Sequence, residues 1–263
     1  MQRNILTVPV RKVGVESSDE MDLLAVEEPL EIRLDGRNTA ITMRTPGNDE
    51  ELAAGFLRSE GILHSSSQIA GIATPEPNVV DVRLGEGSGV DFERLERHFY
   101  MSSSCGVCGK ASIQAIETTG CPLPARDRPV VEPHVVHALP AELRARQAVF
   151  DRTGGLHAAA LFDCTGRLLN LREDVGRHNA VDKLIGAALL AGSLPLDDHI
   201  LLVSGRVSFE LVQKALMGGI AIVAAVGAPS SLAVEVALRF GMTLAGFVRD
   251  GRFNIYSGDW RLR

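Results

Sequence analysis

From Leu156 to the end of the chain, short apolar runs alternate with helix-patterned segments, and this alternation restricts the fold more than any other feature. Residues 158–162 (AAALF) and 168–171 (LLNL) read as two strands joined by the hairpin-type turn Asp163-Cys164-Thr165-Gly166. Helix patterns at 179–190, 209–217 and 231–240 interleave with buried-strand patterns at 200–203 and 220–226. Terminal strands at 244–248 and 253–256 flank the turn Asp250-Gly251. Strands that are apolar on both faces and alternate with helices predict an α/β fold, with a largely parallel sheet covered on two sides.

The first hundred residues follow a different period. Alternating runs at 30–34 (LEIRL), 39–43 (TAITM) and 79–84 (VVDVRL) are punctuated by Asp35-Gly36 and Pro46-Gly47-Asn48, which predicts a β-rich segment. One helix interrupts it. Asn48 is placed to cap it, Asp49, Glu50 and Glu51 suit its positive end, and Gly61 stops it. A short helix is expected from Lys110 to Gly120. Pro122, Pro124, Pro129 and Pro133 then predict a non-helical connector, followed by a helix from Pro140 to Phe150. The expected division is a smaller β-rich domain over residues 1–138 and an α/β domain over 139–263.

Charge narrows the partners. Lys and Arg number 27 against 33 Asp and Glu, a net charge of −6, which argues against nucleic-acid binding through broad basic patches. The opening MQRNILTVPVRKVG lacks the apolar core of a signal peptide, and the run GIAIVAAVG is too short to span a bilayer. The expectation is a cytoplasmic protein without membrane contact. Its four cysteines are then reduced thiols, metal ligands or catalytic groups.

Two of those cysteines, Cys105 and Cys108, share the stretch MSSSCGVCGK. Four readings of it stay open. A zinc clip needs about four ligands, for which only Cys121, His134 and His137 are at hand. A thioredoxin-like dithiol opens a helix after a strand, and RLERHFYMSSS is no obvious strand. A sulfur-carrying thiolate suits a mobile Gly-rich loop, with Lys110 and a helix start lowering the thiol pKa. The fourth reading is a pair of inert thiols. Cys121 and Cys164 read as incidental.

The block REDVGRHNAVDK, residues 172–183, gathers eight polar groups where a strand gives way to a helix. Ligand-binding groups in open α/β sheets collect at such turns. Asp174 or Asn179 can cap the helix, whereas Arg177 and His178 sit where a helix N-terminus favours anions. A salt-bridged surface loop is the alternative. Two further turns repeat the arrangement: Ser204-Gly205-Arg206-Val207-Ser208 and Gly227-Ala228-Pro229-Ser230-Ser231. Neither is a Walker motif or a dinucleotide fingerprint. Three such turns along one sheet edge predict a multi-phosphate ligand. His157, in TGGLHA, is a general base, a ligand contact or a satisfied core histidine.

Taken together, SSCGVCG, TGGLHAAALF, REDVGRHNAVDKLIG and SGRVSFELVQKA resemble the FdhD family, sulfurtransferase accessory proteins of formate dehydrogenase. RTPGNDEELAAGFLRSEGI (44–62) resembles the family's N-terminal block. The resemblance implies a cytidine-deaminase-like three-layer C-terminal domain without the deaminase zinc, and a homodimer. It implies that sulfur is taken from a cysteine desulfurase as a cysteine persulfide, with Cys105 as carrier and Cys108 beside it. The sulfur goes to the molybdenum (or tungsten) bis-guanine-dinucleotide cofactor of formate dehydrogenase, which is bound as a substrate; no resident metal is implied. Phe253, Asn254, Ile255, Tyr256, Ser257 and Gly258 match the family's cofactor-contact segment, and Tyr256 is placed to stack on guanine. Arg177, His178, Ser204, Arg206 and Ser208, with Lys183, are then expected to meet the cofactor. The rival reading is a cofactor-binding chaperone without persulfide chemistry.

Overall fold

The computed structural model describes residues 4–15, 17–90, 121–249 and 251–263. The expected helix at 110–120 and both cysteines of the CxxC stretch lie outside them.

The C-terminal half is built on a six-stranded sheet in the order β12-β11-β10-β9-β7-β8. Its strands are β7 (His157–Asp163), β8 (Leu168–Asp174), β9 (His199–Val203), β10 (Ile222–Ala225), β11 (Thr243–Arg249) and β12 (Arg252–Ser257). Successive residues of the apolar runs feed opposite faces. Leu201, Val203 and Val223 enter a core covered by α4 (Arg177–Leu190), α5 (Phe209–Met217) and α6 (Ser231–Arg239). Ile200, Leu202 and Ile222 enter a second core under α2 (Pro133–Arg144). Burying each such side chain contributes about 1.5–3 kcal/mol, which is why the runs are continuous and not alternating. The three-layer α/β arrangement is as expected.

Strand direction is a correction. Within this six-stranded sheet β9-β10 and β10-β11 are parallel, while β7-β8, β7-β9 and β11-β12 are antiparallel. The two hairpins account for this, because tight turns can join only antiparallel neighbours. A second correction concerns the helix expected from Pro140 to Phe150. Instead α2 runs Pro133–Arg144 and α3 runs Ala148–Thr153. Pro133 opens α2 at a position where a missing N–H costs nothing, and Pro140 lies inside it. The expected boundary at 138/139 therefore falls within α2, whose Val135, Val136, Leu139 and Leu143 pack on the C-terminal sheet.

The N-terminal half holds a four-stranded sheet in the order β4-β3-β6-β5, from β3 (Glu28–Leu34), β4 (Arg37–Arg44), β5 (Ile69–Ala73) and β6 (Val79–Leu84). A separate antiparallel ribbon pairs β1 (Ile5–Lys12) with β2 (Ser18–Ala25). Helix α1 (Asp49–Ser59) packs Leu52, Ala53 and Leu57 on the four-stranded sheet. Asn48 stands before it in the left-handed conformation, φ 57°, and makes no side-chain cap.

The two halves meet where α1 crosses α4. A Cβ on Gly55 would lie 1.8 Å from the Asp182 carbonyl oxygen, and one on Gly186 would lie 1.8 Å from that of Glu51. Only glycine allows backbones to approach this closely.

Candidate functional site

Most of the polar block 172–183 is spent on that junction. Arg172 holds Glu51 of α1 with two donors, at 2.5 and 2.7 Å. Glu173 accepts from the backbone N–H groups of Val149 and Phe150 at the start of α3. Asp174 is fully buried and takes bonds from Thr45 N, Gly176 N and Asn179 Nδ2, with Lys183 Nζ 2.7 Å away. Asn179 also donates to the Met43 carbonyl, and Lys183 to that of Thr45. Asp182 is held by Ser59 and Lys214. Burial pulls the Lys214 pKa down, but Asp182, Glu60 and Glu210 together outweigh it and leave the ammonium above its ordinary value.

This corrects the expectation that Lys183 meets phosphate. It is 2% exposed and paired with Asp174 inside the protein. It also corrects the capping expectation: Gly176 is the N-cap of α4, with no side-chain cap, and Asp174 braces the turn through the Gly176 N–H.

What remains of the block, Arg177 and His178, faces a rim formed by the C-terminal ends of β9, β10 and β11 and the start of β7. The register places His157 opposite Asp174, and Ala159 opposite Val203, so β7 begins where β8 and β9 end. Helices α4, α5 and α6 all start at this rim. The loops 204–208 and 227–231 lie against each other, joined by a Val207–Pro229 bridge and by Gly227 N donating to the Gly205 carbonyl. A Cβ on Gly227 would meet that backbone at 2.9 Å, which requires glycine there. The positive ends of the three helix dipoles therefore point to one edge.

The side chains at the rim have capacity left over. Arg177 Nε is buried with no hydrogen-bond partner among the described residues. Arg206 is exposed. His178 Nε2 lies 3.2 Å from Ser208 Oγ and 3.9 Å from Glu210. Burial, then Arg177 and Lys214, push the His178 pKa below its ordinary value. Burial and Arg177 do the same to His157, against the opposing pull of Asp174. Both imidazoles are therefore held toward the neutral form, able to accept one hydrogen bond and donate another. Ser204 Oγ accepts from Ala158 N at 2.9 Å, which leaves its own proton to give. Ser230 is committed as the α6 cap, accepting from Ala233 N.

The segment 253–258 runs away from the rim. Asn254 pairs with Gly246 and its Nδ2 lies 3.4 Å from Tyr256 Oη. The Tyr256 ring lies over Gly246 beside Pro229, within reach of the loop 227–231. Phe253 turns to the other face and contacts the His137 ring, centroids 5.1 Å apart, while Ile255 is exposed on that face. Ser257 and Gly258 lie at the opposite end of β12. Ser257 donates to the Met242 carbonyl, and Gly258 accepts from Thr243. The structure thus brings Arg177, His178, Ser204, Arg206 and Ser208 together, sets Asn254 and Tyr256 beside them, and holds Ser257 and Gly258 apart.

His157 joins the rim as a group that the sequence left undecided. Its place at the first position of a strand after Gly154-Gly155 was the available signal. Among the described residues, no group of three His, Cys, Asp or Glu could hold a metal ion. His134 pairs with Glu132. Burial pushes the thiols of Cys121 and Cys164 above the ordinary range, which disfavours the nucleophilic thiolate. No helix among the described residues is long and apolar enough to cross a membrane.

Comparison with known proteins adds to this geometry. The FdhD/NarQ family pattern matches residues 25–263. A sulfur carrier protein FdhD from Streptomyces avermitilis is 55% identical over 255 residues, covering 93% of this chain and 90% of its own. One from Sulfolobus acidocaldarius is 44% identical over 262 residues, covering 100% and 99%. A crystal structure from Desulfotalea psychrophila, described as a formate dehydrogenase accessory protein, has a TM-score of 0.79 at 24% identity. That match covers 99% of this chain and all of the other, and it bears on fold alone.

Proposed function

The chain belongs to the FdhD/NarQ family, and from that premise we propose that it is a sulfur carrier serving formate dehydrogenase. Cys105, as thiolate, attacks the sulfane sulfur of a persulfide on a cysteine desulfurase. A new Cys105 sulfur–sulfur bond forms, the donor's breaks, and the donor leaves as a thiolate. The Cys105 sulfur–sulfur bond then breaks, Cys105 leaves as thiolate, and the terminal sulfur becomes a sulfido ligand of the metal in a reduced molybdenum or tungsten bis-guanine-dinucleotide cofactor, the substrate here, whose metal supplies the two electrons. Cys108 receives, resolves or releases that sulfur. The protein works as a homodimer in the cytoplasm.

The cofactor is held by its phosphates at the rim. Arg177, Arg206 and the N–H groups of three helix starts supply the positive potential, His178 and Ser208 orient the loops, and Tyr256 with Asn254 meets a guanine. The observation that carries this reading is the Arg177 guanidinium, whose buried Nε has no partner among the described residues while every other charge of its block but His178 is bound inward. A buried donor left open beside converging helix N-termini suits an anionic ligand.

Mass spectrometry after incubation with a desulfurase and cysteine tests the sulfur step. Wild-type chain should gain one sulfur atom and Cys105→Ala should not. A Cys105→Ala chain that still gains sulfur and still activates formate dehydrogenase would overturn the assignment.

A further inference from the structure

A cleft of about 590 Å³ opens beside the rim, between α2, α3 and the strand ends. Pro140, Leu143, Phe150, Leu156 and Val226 give it apolar walls. Three polar groups face this volume with bonding capacity unused. Gln147 is only 4% exposed, yet its carboxamide makes no hydrogen bond among the described residues, not even as the N-cap of α3. The His157 ring and the Ser204 hydroxyl proton are the other two. Apolar walls with a few convergent polar groups are the usual form of a small-molecule site, and an amide open to the cleft with no partner in the protein is free to bond a ligand there.

We propose that this cleft receives the planar 2-amino-4-oxopyrimidine ring shared by guanine and pterins, with Gln147 reading its lactam edge. The proposal rests on the function proposed above for the ligand's identity, since that cofactor carries both ring types. A lactam sets an N–H donor beside a carbonyl acceptor. A carboxamide offers the reverse, so the two close a cyclic pair of hydrogen bonds. Leu143, Phe150 and Leu156 enclose the flat ring. The cleft shares only Ser204 and His157 with the rim, so a ring bound here leaves the helix starts free for phosphates.

Calorimetric titration of the full chain with GDP, ADP and 6-hydroxymethylpterin tests this. Wild type is compared with Gln147→Leu and the volume-matched Gln147→Met, with Arg206→Ala as the rim variant and circular dichroism to confirm folding. Both Gln147 changes should weaken GDP or the pterin roughly 10- to 100-fold and leave ADP unchanged, as expected for a lost bidentate pair. Loss for GDP assigns the cleft to guanine, and loss for the pterin assigns it to the pterin end. If both ligands bind the Gln147 variants as they bind wild type while Arg206→Ala weakens GDP, this proposal fails and the rim reading stands. If the Gln147 variants lose binding and Arg206→Ala does not, the cleft stands and the rim reading fails.

Discussion

The α1–α4 junction and the strand-end rim are built from the same residue types, even from the same twelve-residue block, but they use them in opposite ways. At the junction each charge has its counter-charge: Asp174 with Lys183, Asp182 with Lys214, Arg172 with Glu51. At the rim Arg177 keeps an open donor, two imidazoles are held toward neutrality, and helix ends converge. A polar group satisfied inside the protein holds the fold, whereas one left unsatisfied among positive helix ends is available to a ligand.

The sharpest way to break this contrast is at the junction. Asp174→Ala strands the Lys183 ammonium in the interior and removes three further acceptor bonds. It should cost about 3–5 kcal/mol, read as a lower midpoint in urea denaturation. A loss under 1 kcal/mol would mean that the junction is not held by its ion pairs. Gly186→Ala pushes a methyl group into the Glu51 carbonyl and should cost about 1–3 kcal/mol by the same measurement. Unchanged stability there would show that the helices can part freely.

The rim should answer differently. Arg177→Met should change stability by no more than about 1 kcal/mol, because its Nε has no hydrogen-bond partner among the described residues and only a screened attraction to Glu210 is lost. It should nevertheless weaken GDP binding about tenfold, through loss of a charge-assisted bond. A large stability loss with unchanged binding would move Arg177 to the structural side of the comparison. The smallest effect is on pH. The folded pKa values of His157 and His178 lie below the ordinary histidine value, so the unfolded chain binds protons first as pH falls. Their contribution is complete above the unfolded value near 6.5 and is lost as pH drops through the folded values. Replacing both by Gln should flatten the fall in stability below about pH 6.5. An unaltered slope would show that they are not held neutral.

Much of the fold was legible because its strands and helices have unambiguous periods. The 209–217 helix has the predicted limits, and the 79–84 strand does too. Strand direction was less legible, since apolar runs look alike in parallel and antiparallel company. The helix Pro133–Arg144 was hidden because a proline run masks a helix that begins on one of its prolines. The site divides along the same line. Turn composition marked Arg177, His178, Ser204, Arg206 and Ser208 as neighbours, and the sheet edge brings them together. Lys183 has the same composition and neighbours, but only the fold shows that its ammonium points inward to Asp174. Gln147 carried no sequence signal, because it matters through the volume around it.

The proposed function stands or falls on whether the rim holds the phosphates of a guanine nucleotide. A crystal structure of the full chain soaked with GDP tests it most directly. The proposed function predicts phosphate oxygens within hydrogen-bonding distance of Arg177 and of the backbone N–H groups at 205–208. A nucleotide bound at a distance from these groups, with Arg177 Nε still unpartnered, would contradict it.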